Sequence, residues 1–148
     1  MRSLARLCAR GLAAAGAPYP SSLGLILSGD NELAQLNTEH MGHEGPTDVL
    51  SFPLLAPAAF PTHTGQDPGL RGSGRVFALP PRERPHLGDI VVSVERAVVQ
   101  APEQGWSSAD ELRQLVVHGV LHICGWDHAA AVERDAMRAL ERDVLAER

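Results

Sequence analysis

Lysine is absent from this 148-residue chain, and all thirteen of its basic residues are arginine. Any cationic side-chain contact with phosphate must therefore come from guanidinium, which grips two oxygens in a fork rather than acting as a point charge. Eighteen acids bring the formal net charge to −5, so the chain as a whole is not a polybasic nucleic-acid binder. Cysteine is nearly missing too. Cys8 and Cys124 lie far apart and form no C-x-x-C pair. That excludes a disulfide framework, a four-cysteine zinc site and an iron–sulfur cluster, and it suits a reducing compartment. No apolar run approaches the roughly 18–20 residues of a bilayer-crossing helix, and there is no internal repeat. What remains is ordinary globular composition, 44% apolar and 21% charged, at a length that fits one domain.

The first sixteen residues place Leu4, Leu7, Cys8 and Leu12 at helical spacing, with Arg2, Arg6 and Arg10 on a separate stripe. This predicts an amphipathic helix closed by Pro18 and Pro20, although an Arg-rich, acid-free start also fits an organellar transit peptide. Short strands are expected at 23–28, 47–52 and 88–93, with a helix through 31–37 capped by Asp30. Residues 53–86 hold seven of the eleven prolines and read as an irregular, mobile insertion with at most a short strand at 75–79. Its Arg71, Arg75, Arg82 and Arg84 could meet an anionic partner, but a solvated loop is the expected reading.

A helix from 94 is weakened at Pro102. Ser108 followed by Glu111 matches a capping box and opens a helix that ends near Gly125. The last twenty residues form a second amphipathic helix with Val132, Ala136, Leu140 and Val144 inward. Arg134, Arg138 and Arg142 then form a solvated stripe balanced by Glu133, Glu141 and Asp143. The expected fold is α+β: one domain over 1–148, a small mixed sheet of three to four strands packed on about five helices.

The informative stretch is HGVLHICGWDH, residues 118–128. His118 and His122 are four residues apart, about 6 Å along a helix axis, and project from one face. Gly125 breaks the helix and lets the chain swing His128 back. Three neutral imidazoles at about 2.0–2.1 Å would hold zinc and leave a fourth position for water, as in a catalytic site. Such a metal lowers the pKa of its water towards ~7 and polarises a phosphoryl or carbonyl oxygen. By ligand type alone nickel, copper or iron would also fit. The same histidine spacing occurs in metzincin proteases, which carry Glu directly after the first His. Gly119 stands there instead and cannot carry a proton, which disfavours peptide hydrolysis.

Together with GPTDVLSFP at 45–53 and LGDIVVS at 87–93, in that order, this motif resembles the YbeY family of zinc-dependent endoribonucleases over roughly residues 23–145. The resemblance implies a zincin-like helix with His118, His122 and His128 as ligands of one zinc. It further implies cleavage of single-stranded RNA at the 3′ end of 16S rRNA, a role in ribosome quality control, the small ribosomal subunit as partner, no membrane, and a cytoplasmic location. It also favours a folded helix over a transit peptide at residues 1–15. Three departures stand out. Met41 occupies the place of a family arginine that contacts substrate, and is expected to be ordinary packing; His40, His43 or an insertion arginine could take over that contact. No strand precedes the first helix, so either the sheet is one strand short or the chain's start lies too far downstream. The 53–86 linker is longer than usual.

Met41 keeps open a non-catalytic ribosome-assembly factor with structural zinc; a zinc peptidase is the weaker rival. Asp48 and Asp89 either orient a histidine or satisfy turns, and Asp127 either accepts from the His128 ring or shapes its turn. Cys124 is expected to be a buried thiol, and Trp126 to pack rather than stack on a base. No general base or nucleophile is assigned, and oligomeric state is not legible.

Overall fold

A computed structural model describes residues 2–42, 47–70, 72 and 83–147. Helix α1 (Arg2–Ala14) leads to strand β1 (Ser22–Ser28) and helix α2 (Asp30–Leu36), which a π-type turn extends to Met41. Strand β2 (Val49–Pro53) is followed by two short 3₁₀ turns and strand β3 (His86–Ser93). Helices α3 (Val94–Gln104), α4 (Ser108–Ile123) and α5 (Ala131–Ala146) complete the chain. The three strands lie in the order β1-β3-β2, with β1 parallel and β2 antiparallel to β3. The mixed sheet and five α-helices match the α+β expectation.

The central strand is buried from Leu87 to Ser93 apart from half-buried Asp89, as a strand covered on both faces should be. Helix α4 packs on β2 and β3 and is itself crossed by α1, α3 and α5. Two glycines set these approaches. A Cβ on Gly119 would lie 2.7 Å from Ile90 Cγ2, and one on Gly11 would lie 2.9 Å from Val120 Cγ1. Leu7 and Cys8 of α1 are buried in the same core as Val116, Val120 and Leu121, so the apolar stripe at the chain's start belongs to the fold.

Several expectations need correction. Asp30 does not cap α2. Its carboxylate is taken by the β3–α3 junction, accepting from Ser93 Oγ at 2.7 Å and Arg96 Nη2 at 3.0 Å. Helix α4 is capped by Ser107 rather than Ser108, because Ser107 has the extended backbone that lets Oγ accept from Asp110 N at 3.1 Å. On α5, Val144 is buried and Leu140 packs against the core as expected, but Val132 is 62% exposed and Glu133, Met137 and Glu141 are buried too. In the insertion, Phe60 is buried in the core and Gly65 lies against the α5 backbone at Glu133, while much of 53–69 is exposed. The strand expected at 75–79 and Arg71, Arg75 and Arg82 lie outside the described residues, while Arg84 is exposed.

Candidate metal centre

Val116, Val117, Val120, Leu121 and Ile123 are buried and fix the rotation of α4. His118 and His122 are thereby left half-buried at its open edge, with their Nε2 atoms 3.0 Å apart. The tautomers follow from the other ring nitrogens. His122 Nδ1 lies 2.7 Å from the Trp126 carbonyl and must donate to it. His118 Nδ1 lies 2.6 Å from Glu141 Oε1 and donates to the carboxylate. In these tautomers both Nε2 atoms, 3.0 Å apart, keep a free lone pair, which suits shared ligation of one cation beside them. Burial, then the adjacent His118, push His122 down to about 4, which keeps that ring a neutral donor of its lone pair.

The turn after α4 brings in the third ring. Gly125 takes φ 91°, in the left-handed region, and Trp126 N reaches back to Leu121 O at 3.0 Å. Asp127 Oδ1 accepts from His128 N at 2.7 Å, so Asp127 shapes the turn rather than holding the ring. The His128 centroid lies 5.3 Å from that of His118 and 5.0 Å from that of His122. One ligand atom from each of the three residues lies within 4.8 Å of the others, and the cluster could hold a metal ion.

Two acids that support the cluster escaped the sequence reading. Glu141 holds His118 with one oxygen and accepts from Gln114 Nε2 with the other, at 2.7 Å. Glu133 accepts from Asp127 N and from His63 Nε2, each at 2.8 Å. His63 in turn stacks on Trp126 with centroids 3.7 Å apart, so Trp126 packs at the rim as expected. The signal was present in the sequence: Glu133, Met137, Glu141 and Val144 share one helix face, and acids on a face that also carries buried apolar residues are rarely buried without partners.

Other candidates go elsewhere. Asp48 Oδ1 accepts from Val49 N at 2.8 Å, which is the turn reading, and Asp89 is bonded to His86 at 3.0 Å. His40 packs edge-on against Phe52, and His43 lies outside the described residues. Burial pushes the Cys124 thiol up to about 12 and Cys8 up to about 11, so both stay protonated. Met41 is not packing: 41% exposed, it lines a cavity of about 390 Å3 together with Asp48, Ser51 and the three histidines. A second cavity of about 310 Å3 opens on the other side of His118 and His128, where Arg134 and Arg138 line it. Gly119 faces β3, so the point at which a peptidase carries its glutamate is filled by Ile90.

A mixed three-stranded sheet bearing a helix with two histidines, and a third returned by a glycine turn, defines an α+β protein with an accessible three-histidine cluster. The profile of the family described as Endoribonuclease YbeY matches residues 2–148. The chain belongs to the YbeY family. It is 40% identical over 135 residues to the endoribonuclease YbeY of Alkalilimnicola ehrlichii, covering 91% of this chain and 69% of that protein. The match to its namesake in Symbiobacterium thermophilum is 40% over 143 residues, covering 95% and 81%. Against that of Bartonella bacilliformis it is 38% over 125 residues, and the chain spans 66% of that relative's length. The solution structure of a Thermotoga maritima protein shares the fold, with a TM-score of 0.56 at 21% identity, covering 99% of this chain and 81% of that one.

Proposed function

We propose that the chain is a zinc-dependent endoribonuclease that cuts single-stranded RNA, with the 3′ end of 16S rRNA in the small ribosomal subunit as its substrate and ribosome quality control as its setting. The observation that carries this reading is the pair of Nε2 atoms 3.0 Å apart, with His128 beside them. That donor set fits a divalent ion with His118, His122 and His128 as its ligands. When bound, the ion supplies Lewis acidity to a phosphoryl oxygen and acidifies water. The protein's own part is positional. Glu141 and the Trp126 carbonyl lock the two α4 rings in the tautomer that offers Nε2. Arg134 and Arg138 stand in the adjoining cavity, where forked contacts would hold a backbone phosphate in place of the arginine that Met41 lacks. Among the described residues no helix is long and apolar enough to cross a membrane. The cytoplasm is the location that the family resemblance implies, and it is part of this proposal.

The test is metal analysis of the purified chain beside incubation with a single-stranded 16S 3′-end fragment, with and without chelator. Metal-dependent cleavage is expected; an intact fragment at full metal occupancy would reject the enzyme reading. A 2′,3′-cyclic phosphate at the new end would show attack by the RNA's own 2′-hydroxyl. Exposure of Met41 on the cavity wall favours one rival, an assembly factor whose zinc only holds the fold. That rival requires His118→Ala to lose tens of degrees of melting temperature while wild type never cuts RNA.

A further inference from the structure

A larger cavity, about 860 Å3, lies between α1, the start of α4 and the end of α5. Four of the thirteen arginines line it: Arg6 and Arg10 from α1, Arg113 from α4 and Arg142 from α5. In a chain of net charge −5 that concentration is far from even. Two acids share the wall, but the Asp110 carboxylate already accepts from Ser107 Oγ at 2.8 Å. At Glu147 the group that Arg10 contacts is the main-chain carbonyl. Arg10 Nε is buried with no partner among the described residues. The lining thus carries four guanidinium groups against two carboxylates, a positive balance.

Its aromatic wall is Trp106, 44% exposed. The backbone there is locked on both sides. Gly105 (φ 71°) and Trp106 close α3 by donating to Pro102 O and Ala101 O at 3.1 and 2.9 Å, and Ser107 at once caps α4. An indole on a fixed backbone, sharing a cavity with arginines and with much of its surface in water, suits stacking of a nucleobase whose phosphates are gripped nearby.

The cavity adjoins the one beside the metal centre. Gln114 lines it and lines the 310 Å3 cavity beside His118 and His128. Along α5, Arg134 and Arg138 line the inner cavity and Arg142 the outer one, each about 6 Å further along the axis. Glu133 and Glu141, which helical spacing alone would set against this stripe, are turned inward to His63 and His118. Arg134 has an ion pair with Asp135 at 3.8 Å, and Arg138 and Arg142 are exposed.

We propose that this outer cavity is a second RNA site, which binds a nucleotide unit of a single strand several residues away from the scissile bond: its phosphates on Arg6, Arg113 and Arg142, its base on Trp106, and the intervening strand along Arg134 and Arg138. The proposal rests on the RNA reading of the metal centre, and the test separates the two. Binding of labelled 2′-O-methyl oligouridylates of four and twelve nucleotides, which cannot be cut through the 2′-hydroxyl, is followed by fluorescence anisotropy. Cleavage of the corresponding RNA is measured in parallel. Trp106→Ala and the double variant Arg6→Ala/Arg142→Ala should each weaken the twelve-mer roughly tenfold or more and raise KM with kcat unchanged. The double variant should also flatten the salt dependence by about 1.4 in log K per log salt, two phosphates at about 0.7 each. Trp106→Phe should restore most of the affinity, which separates stacking from folding.

The proposal is overturned if wild type cuts RNA while these variants bind the twelve-mer within twofold of it. It is overturned equally if uridine monophosphate occupies the cavity and the twelve-mer does not displace it, which would make this a free-nucleotide site. Trp106-dependent binding without any cleavage would support this site and remove the nuclease reading instead.

Discussion

Glu141 Oε1 sits 2.6 Å from Nδ1 of His118, a carboxylate from the last helix holding a ring of the helix before it. Gln114 anchors the other oxygen at 2.7 Å, so the acid is fixed at both ends and can aim the imidazole. Glu141→Ala should lower metal affinity by about 10- to 100-fold, as removal of such partners typically does. Competition against a chromophoric chelator reads this directly. Gln114→Ala should give a smaller loss in the same assay.

His63→Ala should act on the same centre from the opposite side. It removes the stack on Trp126 and one partner of the buried Glu133 carboxylate. A cost of about 1–3 kcal/mol in stability is expected, together with weaker metal binding as the turn that places His128 loosens. Val132→Ala, at an exposed position of the same helix, is the control and should change neither.

Gly119→Ala tests why no acid follows His118. The new methyl would meet Ile90 Cγ2 at 2.7 Å and Val49 Cγ2 at 3.3 Å. Overpacking of this kind costs about 1–3 kcal/mol, to be seen as a melting point lower by several degrees. Gly119→Glu should be worse still and should yield no peptidase activity on a peptide library.

Glu111 gives a pH signature. Burial, then the charges of Asp48 and Glu103, raise its pKa above the usual carboxylate value. A folded-state pKa above the unfolded one stabilises the fold below the unfolded value and loses that contribution as pH rises through the folded one. The stability of Glu111→Gln relative to wild type should therefore increase as pH is raised from about 4 to 7. Urea melts at several pH values measure it; a flat difference would contradict the assignment.

Much of this was legible in the sequence. Regular periodicity located the strands within a residue or two and all five helices, because burial on one or both faces leaves a clear apolar pattern. The histidine trio was legible because a helix turn and a glycine break are local rules. Glu141, Glu133 and His63 were not, since their partners lie 23, 70 and 70 residues away in sequence. Helical spacing places an acid on a face but does not say what stands opposite. The cap at Ser107 was missed for a smaller reason: two adjacent serines offer the same hydroxyl, and the tertiary path of the α3–α4 link selects between them.

Pro57 abuts Gly125, and Gly65 abuts the first turn of α5. The stretch between them is thus wedged behind the histidines like a doorstop, although it contributes no ligand. Lengthening it, or placing a tag or reporter peptide there, would disturb the geometry of a cluster whose own residues had not been altered.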